Sequence, residues 1–278
     1  MIRFRSMGCS IVLSDNRAEE PIRELFDERD KRFSRFVENS ELKAVNGRPL
    51  GISIVSDDFA AMLDLALRAA RATGGVVTPA VGAAVEAAGY DDDFGRLPSD
   101  GLPAAPVAVP DLDALALRGR VLLRVEPVVL DLNGVVKGKT VDDALALQGG
   151  GWVSAGGDIA TTTPVEVRLP GGASILLREG GLATSSVDVR TWKRGGLAQH
   201  HLIDPTTGRP AQTPWRDVTV AAQDCVAADI AAKAALLMGD GGLSWLERLR
   251  LPGRLVDGRG AVHLTRAWRQ AVPHKAAA

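Results

Sequence analysis

Cysteine is almost missing from this chain of 278 residues: Cys9 and Cys225 are the only two. Two isolated thiols exclude a disulfide framework and suit a reducing compartment. Aromatic residues are also scarce, at 4%, which argues against a stacking platform for single-stranded nucleic acid. No excess of either charge is present: the net charge is −1 and no basic stripe is visible, so nucleic acid is not an expected partner. No apolar run approaches the length of a membrane-spanning helix, and membrane insertion is not expected. The stretch Met1–Cys9 is basic and short and has no apolar segment, so Ser6-Met7-Gly8-Cys9 is not read as a lipoprotein site and the expected location is cytoplasmic. An early strand followed by GxGxxG is lacking as well, which counts against a Rossmann domain.

What remains is an ordinary globular composition, 46% hydrophobic and 24% charged, and the length permits one large domain, expected over residues 1–278, or two intimate ones. Gly8–Leu13 reads as a first strand. Residues 19–37 read as a helix, with Ile22, Leu25, Phe26, Phe33 and Phe36 near one stripe. Ser40–Asn46 reads as a turn-rich link. Ser56 caps a second helix carrying Phe59, Met62, Leu63, Ala66, Leu67 and Ala70, which Gly74-Gly75 ends. Residues 89–110 read as an exposed Asp/Gly/Pro-rich loop, and Val121–Leu132 as a buried strand despite Pro127. A helix is expected over 137–147. Short strands are expected at 152–155, 164–169, 174–178, 182–185, 197–203 and 217–222. An alanine-rich helix over 226–238 and a hairpin over 254–265 follow, with a frayed tail at 274–278. Helices gather in the first half and strands in the second, which fits α+β.

The richest segment is Gln199-His200-His201-Leu202-Ile203-Asp204-Pro205-Thr206-Thr207-Gly208-Arg209-Pro210. It reads as a short strand entering a tight turn, either a plain hairpin corner or a place where polar groups meet a ligand at a sheet edge. Lys137, among small residues at a helix start, suits a phosphate through its charge and the free N–H groups there; a solvated surface lysine is the plain alternative. Asp131, after an apolar run, is either a ligand contact or a cap for the next helix. Asp229 and Lys233 stand at i and i+4, as an ion pair would.

Taken in order, Met7-Gly8-Cys9, Asn39-Ser40-Glu41-Leu42 with Asn46, Leu130 to Asp142, Ala155-Gly156-Gly157-Asp158-Ile159, Thr184-Ser185-Ser186, His201 to Pro210, and Ala228-Asp229 make the chain resemble the ApbE family of FAD:protein FMN transferases from Met7 to about Thr265. The resemblance implies two intimately packed lobes with a cofactor cleft between them. It implies cleavage of FAD with Mg²⁺, attachment of FMN to a Thr or Ser of an acceptor protein, and release of AMP. By motif match, Met7, Phe36, Thr78, Pro79, Ala80, Asp131, Lys137 and Ile203 would contact the FAD. Gly134, through its carbonyl, and Asp229 would bind magnesium, and His201 with Lys137 would serve the reacting pyrophosphate. These residue types suit the chemistry: cations relieve charge on the bridging oxygens, magnesium takes oxygen ligands, and a neutral histidine accepts a hydroxyl proton. The chain departs from the family pattern at Lys233, where an oxygen ligand is usual, at Thr78-Pro79-Ala80, where Asp-x-Thr is usual, and at Ser186, where glycine is usual. A flavin-binding relative without transfer, or a hydrolase giving FMN and AMP, are the competing readings.

Overall fold

The structure, a computed structural model, describes residues 1–271, so the expected tail at 274–278 lies outside the described residues. The fold is α+β, and every strand pair is antiparallel. The chain divides into two compact units. One comprises Met1–Asp27, Lys137–Ser186 and Thr213 onward; the other comprises Glu28–Val136 and Val187–Gln212.

The first unit is built on an eight-stranded sheet. Its order is Ile2–Ser6, Cys9–Leu13, Trp152–Ala155, Asp158–Thr161, Gly180–Ser186, Trp215–Ala222, Gly253–Asp257 and Val262–Leu264. Alternation along the strands supplies two apolar faces. Ile11, Leu13, Val153, Ala155 and Ala160 pack with Ile22, Phe26, Val141, Ala144 and Cys225 from helices. Ile159 and Leu182 instead pack with Leu169, Ile175, Leu177 and Trp268. Helix Cys225–Leu237 lies along strands Gly180–Ser186 and Trp215–Ala222. Gly181 permits this approach, because a Cβ there would stand 2.2 Å from the Asp224 carbonyl carbon and from the Cys225 nitrogen.

In the second unit, helix Asp57–Ala72 begins at Ser56, whose hydroxyl accepts the Phe59 N–H. A three-stranded sheet runs in the order Gly51–Ile54, Val121–Arg124, Leu115–Arg118. The unit also holds two hairpins, Thr191–Arg194 with Leu197–His200 and Ile203–Asp204 with Arg209–Pro210.

Three sequence expectations are corrected. The helix expected to run to residue 37 ends at Phe33, because the Ser34 hydroxyl accepts the N–H groups of Phe36 and Val37 and so competes with the helical ladder. Ser40–Asn46 is not a plain link: Ser40 caps a short helix, Glu41–Asn46. The strand expected over Val121–Leu132 covers only Val121–Arg124. Beyond it, Pro127 lacks an N–H for a ladder, and Leu130 finds its partner in a side chain instead. The Asn46 amide donates to the Leu130 carbonyl at 3.0 Å and accepts the Leu130 N–H at 2.8 Å. Segment 89–110 is exposed over most of its length but opens with buried Gly89 and Tyr90.

Candidate active site

In the first unit a buried group of charges forms around the N-terminal ends of helices Val136–Gln148 and Cys225–Leu237. Gly138 brings these helices together: a Cβ there would stand 2.8 Å from the Val226 Cα and 3.3 Å from the Asp229 Cβ. Lys137, one residue earlier, forms an ion pair with Asp158 while 31% of its side chain stays open to solvent. Asp158 is 1% exposed, and its other oxygen accepts the Thr184 N–H at 3.1 Å. The strongest influence on the Lys137 ammonium is burial, which opposes its charge. The negative charges of Asp158 and Asp229 together outweigh burial and raise its pKa, so Lys137 is a fixed cation. Burial also pushes the Asp158 carboxyl upward against the pull of Lys137.

Asp229, one turn into the alanine-rich helix, is 3% exposed. Its Oδ1 accepts from Lys233 Nζ at 2.9 Å, so the i,i+4 ion pair expected from spacing is present. Its Oδ2 is buried and has no hydrogen-bond partner among the described residues. The start of the same helix is held by two carboxylates. Asp224 accepts the Ala227 N–H, and Asp142 accepts the N–H groups of Cys225 and Val226 at 2.8 and 2.9 Å. Burial lifts the Asp142 carboxyl to about 6, against the lowering effect of those two N–H bonds.

Met7 and Gly8 form the two-residue turn between strands Ile2–Ser6 and Cys9–Leu13, with φ of 50° and 68°. Two left-handed residues in succession match the twist of such a hairpin. A methionine there is disfavoured by about 1–2 kcal/mol relative to ordinary backbone, and strain of this kind collects at functional positions. Its side chain packs on the core beside Cys9.

The second unit carries the other expected residues. Asp131 is buried: its Oδ2 lies 2.8 Å from Arg35 Nε, and its Oδ1 accepts the Asn133 N–H at 2.7 Å. Its carboxylate is thus held by Arg35 and by the Asn133 N–H. The Asp131 N–H donates to the Pro79 carbonyl, and the Thr78 hydroxyl accepts the Ala80 N–H. Thr78-Pro79-Ala80 is thus laid against the Asp131 segment. Gly134 lies in the turn that the Val135 and Val136 N–H groups close onto the Leu132 carbonyl. Phe36 and Ile203 belong to one apolar cluster with Tyr90 and Trp192. Tyr90 lies 5.3 Å from both Phe36 and Trp192, and the Arg35 guanidinium stands 4.9 Å from the Phe36 ring centroid and 5.2 Å from that of Tyr90.

The two neighbouring histidines are used differently. His200 Nδ1 accepts the Leu202 N–H, and Nε2 stands 3.1 Å from the Ala211 carbonyl, an arrangement that a neutral ring protonated on Nε2 satisfies. Burial lowers its pKa and keeps it neutral. His201 occupies the bend just before Ile203 and is half-buried. Asp204 closes the following turn by accepting from Thr206 and Thr207, the plain hairpin-corner role.

The structure brings Lys137 and Asp229 into one charge group in the first unit, which also contains Met7. It brings Thr78, Pro79, Ala80 and Asp131 together, and Phe36 with Ile203, in the second. Sequence reading gave no role to Asp158, Arg35, Tyr90 or Trp192. Asp158 had a signal in its Gly-Gly-Asp run, and Arg35 in lying between the two phenylalanines of its patch; Tyr90 and Trp192 had none. Among the described residues no group of three or more His, Cys, Asp and Glu side chains could hold a metal ion, and no helix is long and apolar enough to cross a membrane.

The scaffold is an antiparallel sheet with a buried lysine–carboxylate group beside a helix N-terminus. Residues 6–254 match the ApbE family model, and the chain belongs to the ApbE family. It is 27% identical over 258 residues to the FAD:protein FMN transferase of Treponema pallidum, covering 80% of this chain and 71% of that protein. It is 33% identical over 199 residues to the FAD:protein FMN transferase of Rhodobacter capsulatus, covering 64% of this chain and 37% of that longer protein. Among solved structures, the ApbE protein of Thermotoga maritima shares the fold with a TM-score of 0.82 at 24% identity, over 97% of both chains.

Proposed function

We propose that this protein is an FAD:protein FMN transferase, attaching FMN to a threonine or serine of an acceptor protein and releasing AMP. The observation that carries this reading is the family match over residues 6–254, with relatives that bear that name. Met7, Phe36, Thr78, Pro79, Ala80, Asp131, Lys137 and Ile203 contact the FAD. The strained turn at Met7 and the aromatic cluster that holds Phe36 and Ile203 support those three assignments. Arg35 and the Asn133 N–H hold the Asp131 carboxylate in place for its part in that contact.

The donor set suits magnesium: a hard cation that keeps phosphate oxygens as ligands needs one or two protein oxygens, and Asp229 Oδ2 is a buried oxygen with no hydrogen-bond partner among the described residues. By motif match, Asp229 and the Gly134 carbonyl would hold the ion, which would spread the charge of the phosphate oxygens. Lys137, kept charged by Asp158 and Asp229, stabilises the negative charge that grows on the bridging oxygen. The acceptor hydroxyl oxygen attacks the FMN-side phosphorus, its proton passes to His201, and the bond to the AMP oxygen breaks. A cytoplasmic location completes the reading, supported by the sparse cysteines of the chain.

The test is incubation with FAD, Mg²⁺ and a flavin-acceptor domain, followed by in-gel fluorescence. A fluorescent acceptor band is expected, and His201→Ala should lower its rate by about 10²-fold or more with the fold retained by circular dichroism. An unchanged rate in that variant removes the role of His201. FAD binding without any adduct favours a flavin-binding relative.

A further inference from the structure

Asp229 and Lys233 are both withdrawn from water, with side chains 4% and 15% exposed. One oxygen of Asp229 accepts from the Lys233 ammonium, and the other is buried without a hydrogen-bond partner among the described residues. A buried carboxylate oxygen without a donor is costly, so this atom is free to take a cation. Lys137 lies close enough to feel the charge of Asp229, and Asp158 pairs with Lys137. Each ammonium of the group is thus paired with a carboxylate, Lys233 with Asp229 and Lys137 with Asp158. A divalent cation placed on Asp229 Oδ2 would share that carboxylate with the Lys233 ammonium and add two positive charges to a poorly solvated place. Only an incoming anion restores the balance.

We propose that Lys233 is a built-in cation of the phosphate site, which keeps divalent-cation affinity at Asp229 low until the substrate's phosphates arrive and itself contributes to holding those phosphates. Binding of metal and of nucleotide is then coupled: each is weak alone and strengthened by the other. This rests on the transferase reading only in assigning Asp229 to the metal.

The test uses the intact protein and two ligands separately. Mn²⁺ alone is titrated and followed by the electron paramagnetic resonance of the free ion. FAD alone is titrated in EDTA by flavin fluorescence. Lys233→Met should tighten Mn²⁺ binding by roughly tenfold or more while weakening metal-free FAD binding several-fold. Opposite signs are the signature, because a variant that merely loosened the fold would weaken both. Lys233→Gln, polar and uncharged, should reproduce both shifts if the methionine variant folds poorly, and Asp229→Asn added to either should abolish the gain in Mn²⁺ affinity. Mn²⁺ binding that is unchanged or weakened in both lysine variants overturns the proposal. If that happens while flavin transfer proceeds, the inference alone fails. Shifts as expected in a protein that never transfers FMN would instead reject the transferase reading.

Discussion

Gly138 shows how one missing side chain sets the chemistry of its neighbours. Its Cα faces the backbone of Val226 so closely that a methyl group would press on Val226 Cα and Asp229 Cβ. Those neighbours are backbone and a short buried side chain, which cannot swing aside. Gly138→Ala should therefore destabilise the protein by about 1–3 kcal/mol, read from the urea midpoint, and should also disturb the Lys137 and Asp229 pairings. A midpoint within error of the parent would mean that the helices part without cost. Residue type and motif position marked Lys137, His201 and Asp229 as candidates. It did not mark which atoms are already engaged. Asp131 and Asp204 look alike in sequence to a catalytic carboxylate, yet both are largely consumed in local pairing. His200 and His201 are adjacent and chemically identical, and only the partners of His200 show that it is structural.

At the level of elements, helix Cys225–Leu237 depends on its first turn. Asp142, from the neighbouring helix, accepts two of its otherwise unpaired N–H groups. Burial raises this carboxyl from 3.8 to about 6 in the folded protein. The sign follows from linkage. The folded state binds the proton more tightly than the unfolded chain does, so the contribution is fully present below about pH 4 and is lost as pH rises through 6. Asp142→Asn removes that titration but also an acceptor, giving a constant penalty with a smaller pH slope. Between pH 4 and pH 7 the stability difference between variant and parent should shift by about 1–2 kcal/mol in favour of the variant, after discounting for the partial exposure of the group. Urea unfolding at several pH values measures it, and parallel curves would contradict the assignment. The helices of this chain were largely legible in the sequence, because their apolar stripes and caps are local: Ser56 and the spacing from Phe59 to Ala70 gave Asp57–Ala72 almost to the residue. The strand expected over Val121–Leu132 was not, because whether an apolar run joins a ladder depends on what lies beside it. There the Asn46 amide, 84 residues away in sequence, takes the place of a strand.

For the whole molecule, the family was legible because several motifs occur in the right order, and the model match over residues 6–254 bears that out. The aromatic cluster was not legible, since Phe36, Tyr90 and Trp192 are scattered along the chain and only folding assembles them. The central claim is that bond cleavage in FAD and attachment to the acceptor are one event. The most direct measurement quantifies AMP by chromatography and the acceptor's mass increase by intact-protein mass spectrometry in the same time course. The account predicts one AMP released for each flavinyl group attached, with AMP release negligible when the acceptor's hydroxyl residue is replaced by alanine. AMP accumulating with no gain in acceptor mass, or at the same rate without the hydroxyl, would contradict it.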